Sequence, residues 1–261
     1  MGHSNPNCYA RSLADCSVED SREHWMPGCM LRVVNQDTSA VLTRNHTFQN
    51  GEELQPIGLK SLSSWILCKK HNNQLNDNGF DSAGCLTLDA LDQMIASAGE
   101  QTSTPHTYGV KGDDLERCML KILCGGLYSG AYPLMGGGQK GVPLPDNLLS
   151  ILYRNQPFPD GHGLWVVYGP AGETFETRPE MIRAMVIQAD DDTVIGLRIW
   201  LLDVEFNLVL ADVPSPCPAL EHALYRPSGI TIEGINKRLE FTWGEHRERK
   251  EVRFRWLGRA N

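Results

Sequence analysis

Cys68 and His71, spaced as Cys-x-x-His at the end of the apolar run Leu62 to Cys68, constrain the fold of this chain more than any other feature. Two residues between ligands allow a thiolate and an imidazole to bind one zinc ion. Structural zinc takes four ligands in a tetrahedron, so two more are needed. Cys8 and Cys16 are the candidates, and together they predict a closed Cys₃His zinc site. Unrelated buried cysteines and a surface histidine are the alternative.

Composition places the chain among ordinary globular proteins. It has 261 residues, of which 41% are hydrophobic and 21% charged, and a formal net charge of −8. This length predicts one or two domains, and no apolar run approaches the ~20 residues that a membrane span requires. The N-terminus lacks the apolar core of a secretion signal. We therefore expect a cytoplasmic protein without membrane contact, in which cysteines such as Cys85 stay reduced.

The apolar pattern predicts an α+β fold in two domains. Residues 1 to 104 combine short irregular segments with one strand, LSSWILC, and a helix over LTLDALDQMIASAG. Residues 100 to 109 are polar and contain Pro and Gly, which is typical of a linker. A second helix, GDDLERCMLKILCGGL, follows the linker, and Gly125 and Gly126 are expected to end it.

From Gly163 onward, short β-rich runs follow one another with no helix between them. This succession predicts a mainly antiparallel β structure. The stretch GITIEGINKRLEFTW has the pattern of a hairpin with its turn between Gly234 and Lys237. The second domain, residues 105 to 261, is thus expected to be a helix followed by a β-rich part that positions the first domain on nucleic acid or on a partner.

Glu23 and His24 form a second candidate site. A carboxylate can hold a divalent cation, and an imidazole can take a proton from water. Adjacent side chains of a strand point to opposite sides, so a bend is needed for both to reach one reaction centre. Such a pair alone is most often only polar surface, and its weight comes from the Cys-x-x-His-Asn unit about 45 residues later.

Together the two stretches resemble the HNH, or ββα-metal, endonuclease family. Many members carry S-R/K-E-H-x-x-P and then an apolar strand that ends in L-C-x-x-C/H-N at the start of a helix. This chain has SREHWMP and then WILCKKHNN, and the resemblance covers residues 8 to 81. It implies a zinc-stapled ββα-metal nuclease domain that hydrolyses phosphodiester bonds, with DNA as the expected substrate.

The resemblance also implies roles for individual residues. His24 corresponds to the general base that activates water. Glu23 and Asn72 match the positions that bind the catalytic divalent ion, Mg²⁺ or Mn²⁺, while the four Cys and His residues named above match the structural zinc ligands. Asp77 and Asp81 lie further along the same predicted helix and are either extra ion ligands or part of a solvated face.

The C-terminal stretch carries a basic excess in an otherwise acidic chain. These side chains either contact phosphates or protect the edge of a sheet. The basic residues concerned are Lys237, Arg238, Arg247, Arg249, Lys250, Arg253, Arg255 and Arg259.

The resemblance implies a metal-dependent endonuclease, and it extends to the role in defence against foreign DNA that many family members have. Two other functions stay open beside it. In one, the zinc-stapled unit is a non-catalytic scaffold that binds nucleic acid or protein. In the other, the chain is a nuclease subunit that is active only with a partner protein, because an acidic surface binds DNA poorly by itself. Cleavage that depends on His24 separates the enzyme from the scaffold, and the sequence leaves the oligomeric state open.

Overall fold

The computed structural model divides the chain into two compact units. The first comprises Met1–Ser82, Arg117–Phe158 and Gln188–Val194, and the second comprises Ala83–Glu116, Pro159–Ile187 and Ile195–Asn261. The residues that the structure describes are 4–34, 40–43, 55–58, 63–97, 104–132, 141, 143–168, 182–189, 193–202, 204–212, 220, 222–244 and 250–255.

The first unit contains short antiparallel strand pairs and most of the helical residues. Its strands are β1 (Asp20–His24), β2 (Ala40–Thr43), β3 (Gln55–Gly58) and β4 (Ser63–Cys68), with β1 paired to β4 and β2 to β3. The helices are α1 (Gly28–Val34), α2 (Lys69–Asp77), α3 (Phe80–Ala96), α4 (Gly112–Ser129) and α5 (Asp146–Tyr153). Both α3 and α4 belong in part to each unit.

A β-bulge interrupts the pairing of β1 with β4. The register shifts between Ser21 and Arg22, so that Ile66 has no partner in β1. The carbonyl of Ile66 instead accepts a hydrogen bond of 2.9 Å from the amide of Tyr9. A bulge leaves backbone groups of one strand outside the ladder, and here the freed carbonyl fastens the N-terminal segment to β4.

Helix α4 runs to Ser129, past the two glycines that the sequence predicted as its end. A Cβ atom at Gly125 would come within 2.8 Å of Cβ of Trp25, and one at Gly126 within 2.1 Å of the ring of Tyr132. The glycines are therefore required by the close packing of two aromatic residues on the helix. That packing outweighs the low helix propensity of glycine.

The remaining strands form two sheets. A five-stranded sheet has the order β10-β6-β9-β8-β7, and a four-stranded sheet has the order β13-β11-β12-β5. The strands are β5 (His106–Lys111), β6 (Gly163–Val167), β7 (Ile182–Gln188), β8 (Val194–Leu201), β9 (Val204–Val209), β10 (Ala223–Tyr225), β11 (Gly229–Ile232), β12 (Lys237–Thr242) and β13 (Glu251–Phe254).

The expected α+β class with antiparallel sheets is confirmed, and so is the hairpin of β11 and β12, in whose turn Gly234 has φ +81°. Two details differ from the expectation. His106–Lys111, partly inside the predicted linker, is strand β5 and pairs parallel with β12, and β13 pairs parallel with β11. Only Val110 of β5 is buried, and so polar an edge strand resembles a linker in sequence.

Two findings concern the expected environment of the chain. In the part that the structure describes, no helix has the length and apolar character that crossing a membrane requires. Cys85 is disulfide-bonded, which corrects the expectation of a reduced thiol, whereas Cys118 and Cys124 are buried free thiols.

Candidate metal centre and the neighbouring strand

Four buried side chains of the first unit converge on one point. The sulfur atoms of Cys8, Cys16 and Cys68 lie 3.4, 3.7 and 3.2 Å from Nδ1 of His71, and all four ligand atoms lie within 4.8 Å of one another. A tetrahedral zinc ion with bonds of ~2.3 Å to sulfur and ~2.0 Å to nitrogen separates such atoms by about 3.5 Å. The Cys₃His cluster could therefore hold a metal ion such as zinc.

Local structure explains how these ligands meet. Cys68 ends β4 directly before α2, and His71 lies in the first turn of that helix. The N-terminal segment that carries the other two cysteines is held at two points. The amide of Tyr9 is bonded to β4 at the bulge, and the amide of Ser17 donates to Sγ of Cys68 at 3.4 Å.

Asp15 orients the imidazole of the cluster. Oδ1 of Asp15 lies 3.0 Å from Nε2 of His71, and Asp15 also pairs with Lys70. When Nε2 carries the proton and donates it to Asp15, Nδ1 presents its lone pair to the three sulfur atoms, as in most metal-binding histidines. The sequence pattern gave no signal for Asp15, because it lies 56 residues before His71.

Burial makes the three thiolates costly unless a cation accompanies them. Burial raises the pKa of Cys8 and that of Cys16. Burial also acts to raise the pKa of Cys68, but hydrogen bonds from the backbone of His71 and from Ser17 outweigh it and leave this pKa lowered. A bound zinc ion would supply the positive charge that keeps all three as thiolates.

A buried lysine meets the acidic residue of β1. Nζ of Lys121 in α4 lies 2.5 Å from Oε1 of Glu23 and 2.7 and 2.8 Å from the two carboxylate oxygens of Asp81. Lys121 is 1% exposed and Glu23 is 5% exposed. Burial acts to lower the pKa of Lys121, but the two carboxylates outweigh it, so the lysine stays charged. Burial raises the pKa of Glu23 against the opposing effect of Lys121.

The sequence pattern did not single out Lys121, a cation of α4 that stands between Leu120 and Ile122. A lysine between apolar residues of a helix needs a counter-charge when it is buried. This need was the sequence feature that could have indicated an acidic partner. Asp81, left open as an ion ligand, is one of the two partners that the lysine finds, while Asp77 is exposed at the end of α2.

Asn72 fastens α2 to β1. Its Nδ2 donates to Oγ of Ser21 at 2.7 Å and to the carbonyl oxygen of Arg22 at 3.1 Å. Its Oδ1 is buried and has no hydrogen-bond partner. A buried acceptor in that condition costs roughly 1–3 kcal/mol, so an added donor or cation would be stabilising there.

His24 ends β1 and is half-buried. It lies opposite Ser63 in β4, and Arg22 lies opposite Trp65. Residues that oppose each other in an antiparallel pair share a face, as do residues two apart in one strand. His24, Arg22 and Trp65 therefore share one face, which we call the Trp65 face, and Glu23 is directed to the other. The two residues that the sequence placed at one reaction centre lie on opposite sides of the strand.

The donor set for the expected divalent ion is incomplete. Oε1 of Glu23 is paired with an ammonium group, and Asn72 offers one amide oxygen. Mg²⁺ requires near-octahedral oxygen coordination. Among the described residues, ligand atoms of three or more His, Cys, Asp or Glu side chains converge at the Cys₃His cluster. Glu23 and Asn72 do not by themselves fit the ion.

Two of the basic residues near the C-terminus are paired with acids. Nε of Arg255 lies 2.9 Å from Glu233, and Arg238 lies 3.3 and 3.4 Å from two glutamates. Arg253 is exposed on β13, an edge strand of its sheet. Three members of the basic stretch lie outside the described residues: Arg247, Arg249 and Arg259.

No protein-family model matches the chain, and no curated protein and no solved structure matches it either. Any statement of function therefore depends on the residues and the geometry described above.

Proposed function

We propose that the first unit is a zinc-stapled phosphodiester hydrolase of the HNH type that acts on DNA, with His24 as its general base. Strand β1 pairs with β4, β4 leads directly into α2, and the Cys₃His cluster lies where β4 meets α2. This arrangement of two paired strands and a following helix supports the resemblance of the motifs to the ββα-metal family. The observation that carries the proposal is the convergence of the four ligands, because they come from separate segments of the chain.

The proposed reaction is an attack of water on phosphorus, assisted by a general base. His24 accepts a proton from a water molecule as the water oxygen bonds to phosphorus. The bond from phosphorus to the sugar oxygen breaks, and that oxygen takes a proton from solvent. Histidine is the side chain most often used as a general base near neutral pH. Arg22, on the Trp65 face beside His24, offers positive charge to the phosphate.

Two other groups serve this reaction by holding the elements of the first unit together. Asn72 bonds to the backbone of β1 and fixes the strand against α2. A zinc ion, when bound, supplies stability by joining the N-terminal segment to the junction of β4 and α2. Neither group touches the reacting atoms in this proposal.

The test is cleavage of plasmid DNA by the full-length chain. His24→Ala should lower the rate by about 10²- to 10⁴-fold while zinc content and circular dichroism stay unchanged. His106→Ala, an exposed position in the second unit, is the matched control. Cleavage by His24→Ala at the wild-type rate would remove His24 from the mechanism.

Metal dependence is a separate prediction from the family resemblance. If Mg²⁺ or Mn²⁺ is required, it should stimulate cleavage at millimolar concentration. Equal activity with the ion and with a chelator that leaves zinc bound would show that the reaction runs without it.

The ion pair of Glu23 with Lys121 favours a second candidate, a zinc-scaffolded module that binds nucleic acid or protein without cleaving it. Such a module would bind DNA equally before and after His24→Ala and would cleave under neither condition. A nuclease subunit that needs a partner protein would instead gain His24-dependent activity when that protein is added.

We propose in addition that the second unit contacts nucleic acid or a partner chain through the basic C-terminal stretch. Arg249→Glu, Arg253→Glu and Arg255→Glu together should weaken DNA binding and lower its salt dependence by about 0.9 unit of slope for each lost phosphate contact. Unchanged affinity and slope, or aggregation of the variant, would favour a role in protecting the sheet edge.

A further inference from the structure

An exposed tryptophan lies on the same strand pair as the candidate base. Trp65 is 58% exposed, although tryptophan is highly buried on average. Its neighbours Ile66 and Leu67 are fully buried and complete the apolar side of β4. The fold therefore does not need the indole of Trp65 for its core.

Positive charge accompanies this indole. The guanidinium carbon of Arg22 lies 5.9 Å from the centroid of the Trp65 ring, within the range of a cation–π contact. Trp65 also lines an open groove of about 730 Å³, together with Arg11, Asp20 and Tyr128. This volume is within the ~300–1,000 Å³ of small-ligand sites.

The charges of the groove are not uniform. The carboxylate of Asp20 accepts hydrogen bonds from the side-chain amides of Asn5 at 2.8 Å and Asn7 at 3.0 Å. Because carboxylate oxygens repel a phosphate, the phosphate is expected on the Trp65 face beside Arg22, which does not line the groove, and not at the Asp20 end. An aromatic surface next to a cation is the combination that binds unpaired nucleotides, since the base stacks and the phosphate pairs with the charge.

The strand geometry relates this surface to His24. Arg22 and His24 are two residues apart in β1, which is roughly 6.6 Å along a strand. Trp65 lies opposite Arg22, and His24 lies on the same face. A base stacked on Trp65 would therefore bring a neighbouring phosphate of its own strand close to His24.

We propose that Trp65 and Arg22 bind an unpaired nucleotide of a single-stranded or locally opened nucleic acid, next to the phosphate on which His24 acts. This inference names the substrate of the proposed hydrolase and rests on that function. Bases inside a duplex are stacked on one another and cannot offer a face to Trp65. The site thus selects unpaired strands, and stacking makes it tolerant of base identity.

The test measures binding, separately from cleavage. The zinc-loaded full-length chain with His24→Ala is titrated into fluorescein-labelled dT₂₀, rU₂₀ and a 20-base-pair DNA duplex, and binding is followed by anisotropy on oligonucleotides shown to be intact. Adding Trp65→Ala should weaken binding to the single strand roughly 5- to 150-fold, the equivalent of losing one stacked base. Trp65→Phe should restore most of the loss.

Two further variants locate the effect. Arg22→Gln should lower the salt dependence of single-strand binding by about 0.7 unit of slope. Leu86→Ala removes an apolar side chain of similar exposure, 52%, in the second unit and should change nothing. Tighter binding of either dT₂₀ or rU₂₀ than of the duplex supports the site, and the ratio of the two identifies the preferred sugar.

The proposal would be overturned if adding Trp65→Ala to the His24→Ala chain left the affinity for both single strands unchanged. It would also be overturned if the duplex bound more tightly than the single strands and Trp65→Ala weakened the binding of all of them equally. Failure of the hydrolase proposal looks different. In that case His24→Ala leaves cleavage unchanged, or no cleavage occurs at all, while the loss of single-strand binding on Trp65→Ala persists.

Discussion

Lys121 gives the sharpest test of how the first unit is held together. Its ammonium lies between the carboxylates of Glu23 and Asp81, and Lys121→Met removes the charge while keeping most of the side-chain volume. Removing one partner of a buried ion pair typically costs about 3–5 kcal/mol, because the other partner is left charged in the interior. Glu23 is 5% exposed and meets this condition, whereas the Asp81 side chain is 25% exposed and can be resolvated in part.

The expected loss is therefore that of one buried pair, about 3–5 kcal/mol, and not twice that amount. Since small domains have a total stability of ~5–15 kcal/mol, the variant should unfold at a much lower urea concentration. The double variant Glu23→Gln with Lys121→Met removes the stranded charge and should recover at least about 2 kcal/mol, because an amide costs less to bury than a carboxylate.

The destabilisation caused by Lys121→Met should depend on pH in a direction that follows from the pKa of Glu23. Burial already raises the pKa of Glu23, and loss of Lys121 should raise it further above its value of ~4.3 in the unfolded chain. A group whose pKa is higher when folded contributes stability that is present below the unfolded pKa and disappears as pH rises through the folded pKa. Lys121→Met should thus be least impaired near pH 5 and most impaired near pH 8.

Urea unfolding of both variants at pH 5, 6.5 and 8 measures this directly. Comparing Lys121→Met with the double variant at each pH cancels the acid sensitivity of the Cys₃His cluster, which both retain. A difference between them below about 1 kcal/mol at pH 8, or one that does not shrink toward pH 5, would refute a buried and charged Glu23 as the source of the effect.

Three other outcomes are expected. Purified protein should contain one zinc per chain, and Cys68→Ser should lose the metal and destabilise the first unit because structural zinc contributes folding energy; elemental analysis without zinc would contradict the cluster. Asp15→Asn should weaken zinc affinity about 10- to 100-fold in chelator competition, through the imidazole it orients; unchanged affinity would mean that Asp15 serves only Lys70. In the second unit, Glu116→Gln should cost about 3–5 kcal/mol in thermal unfolding because it strands the buried Arg226, 2.7 Å away, whereas Arg255→Gln, in an exposed pair, should have little effect.

The parts of the site that the sequence predicted are those with a local pattern. Cys68 and His71 stand three positions apart, and the run before them has the composition of a strand, so both the ligands and their place at a helix start could be inferred. The two upstream cysteines followed from the ligand count that zinc demands. Strand pairing of the hairpin near Gly234 was likewise encoded in neighbouring residues.

The contacts that the sequence did not predict join positions far apart in the chain. Lys121 meets Glu23, 98 positions earlier, and nothing in the pattern of α4 specifies that partner. The glycines at 125 and 126 have the appearance of a helix end until the rings of Trp25 and Tyr132 are known to lie against them. In each case a tertiary contact determines the structure, and the propensities of neighbouring residues do not predict that contact.

The bulge at Ile66 has a consequence for how this part of the chain can change. Strand residues alternate between two faces, so removing one residue between Trp65 and Leu67 would restore an even ladder. The carbonyl that receives the amide of Tyr9 would then be lost, and with it a tether of the cysteine-bearing segment. A substitution at Ile66 changes only the volume of a buried side chain, but a deletion there would loosen the segment that carries Cys8 and Cys16. Insertions and deletions in β4 should therefore be tolerated less well than substitutions.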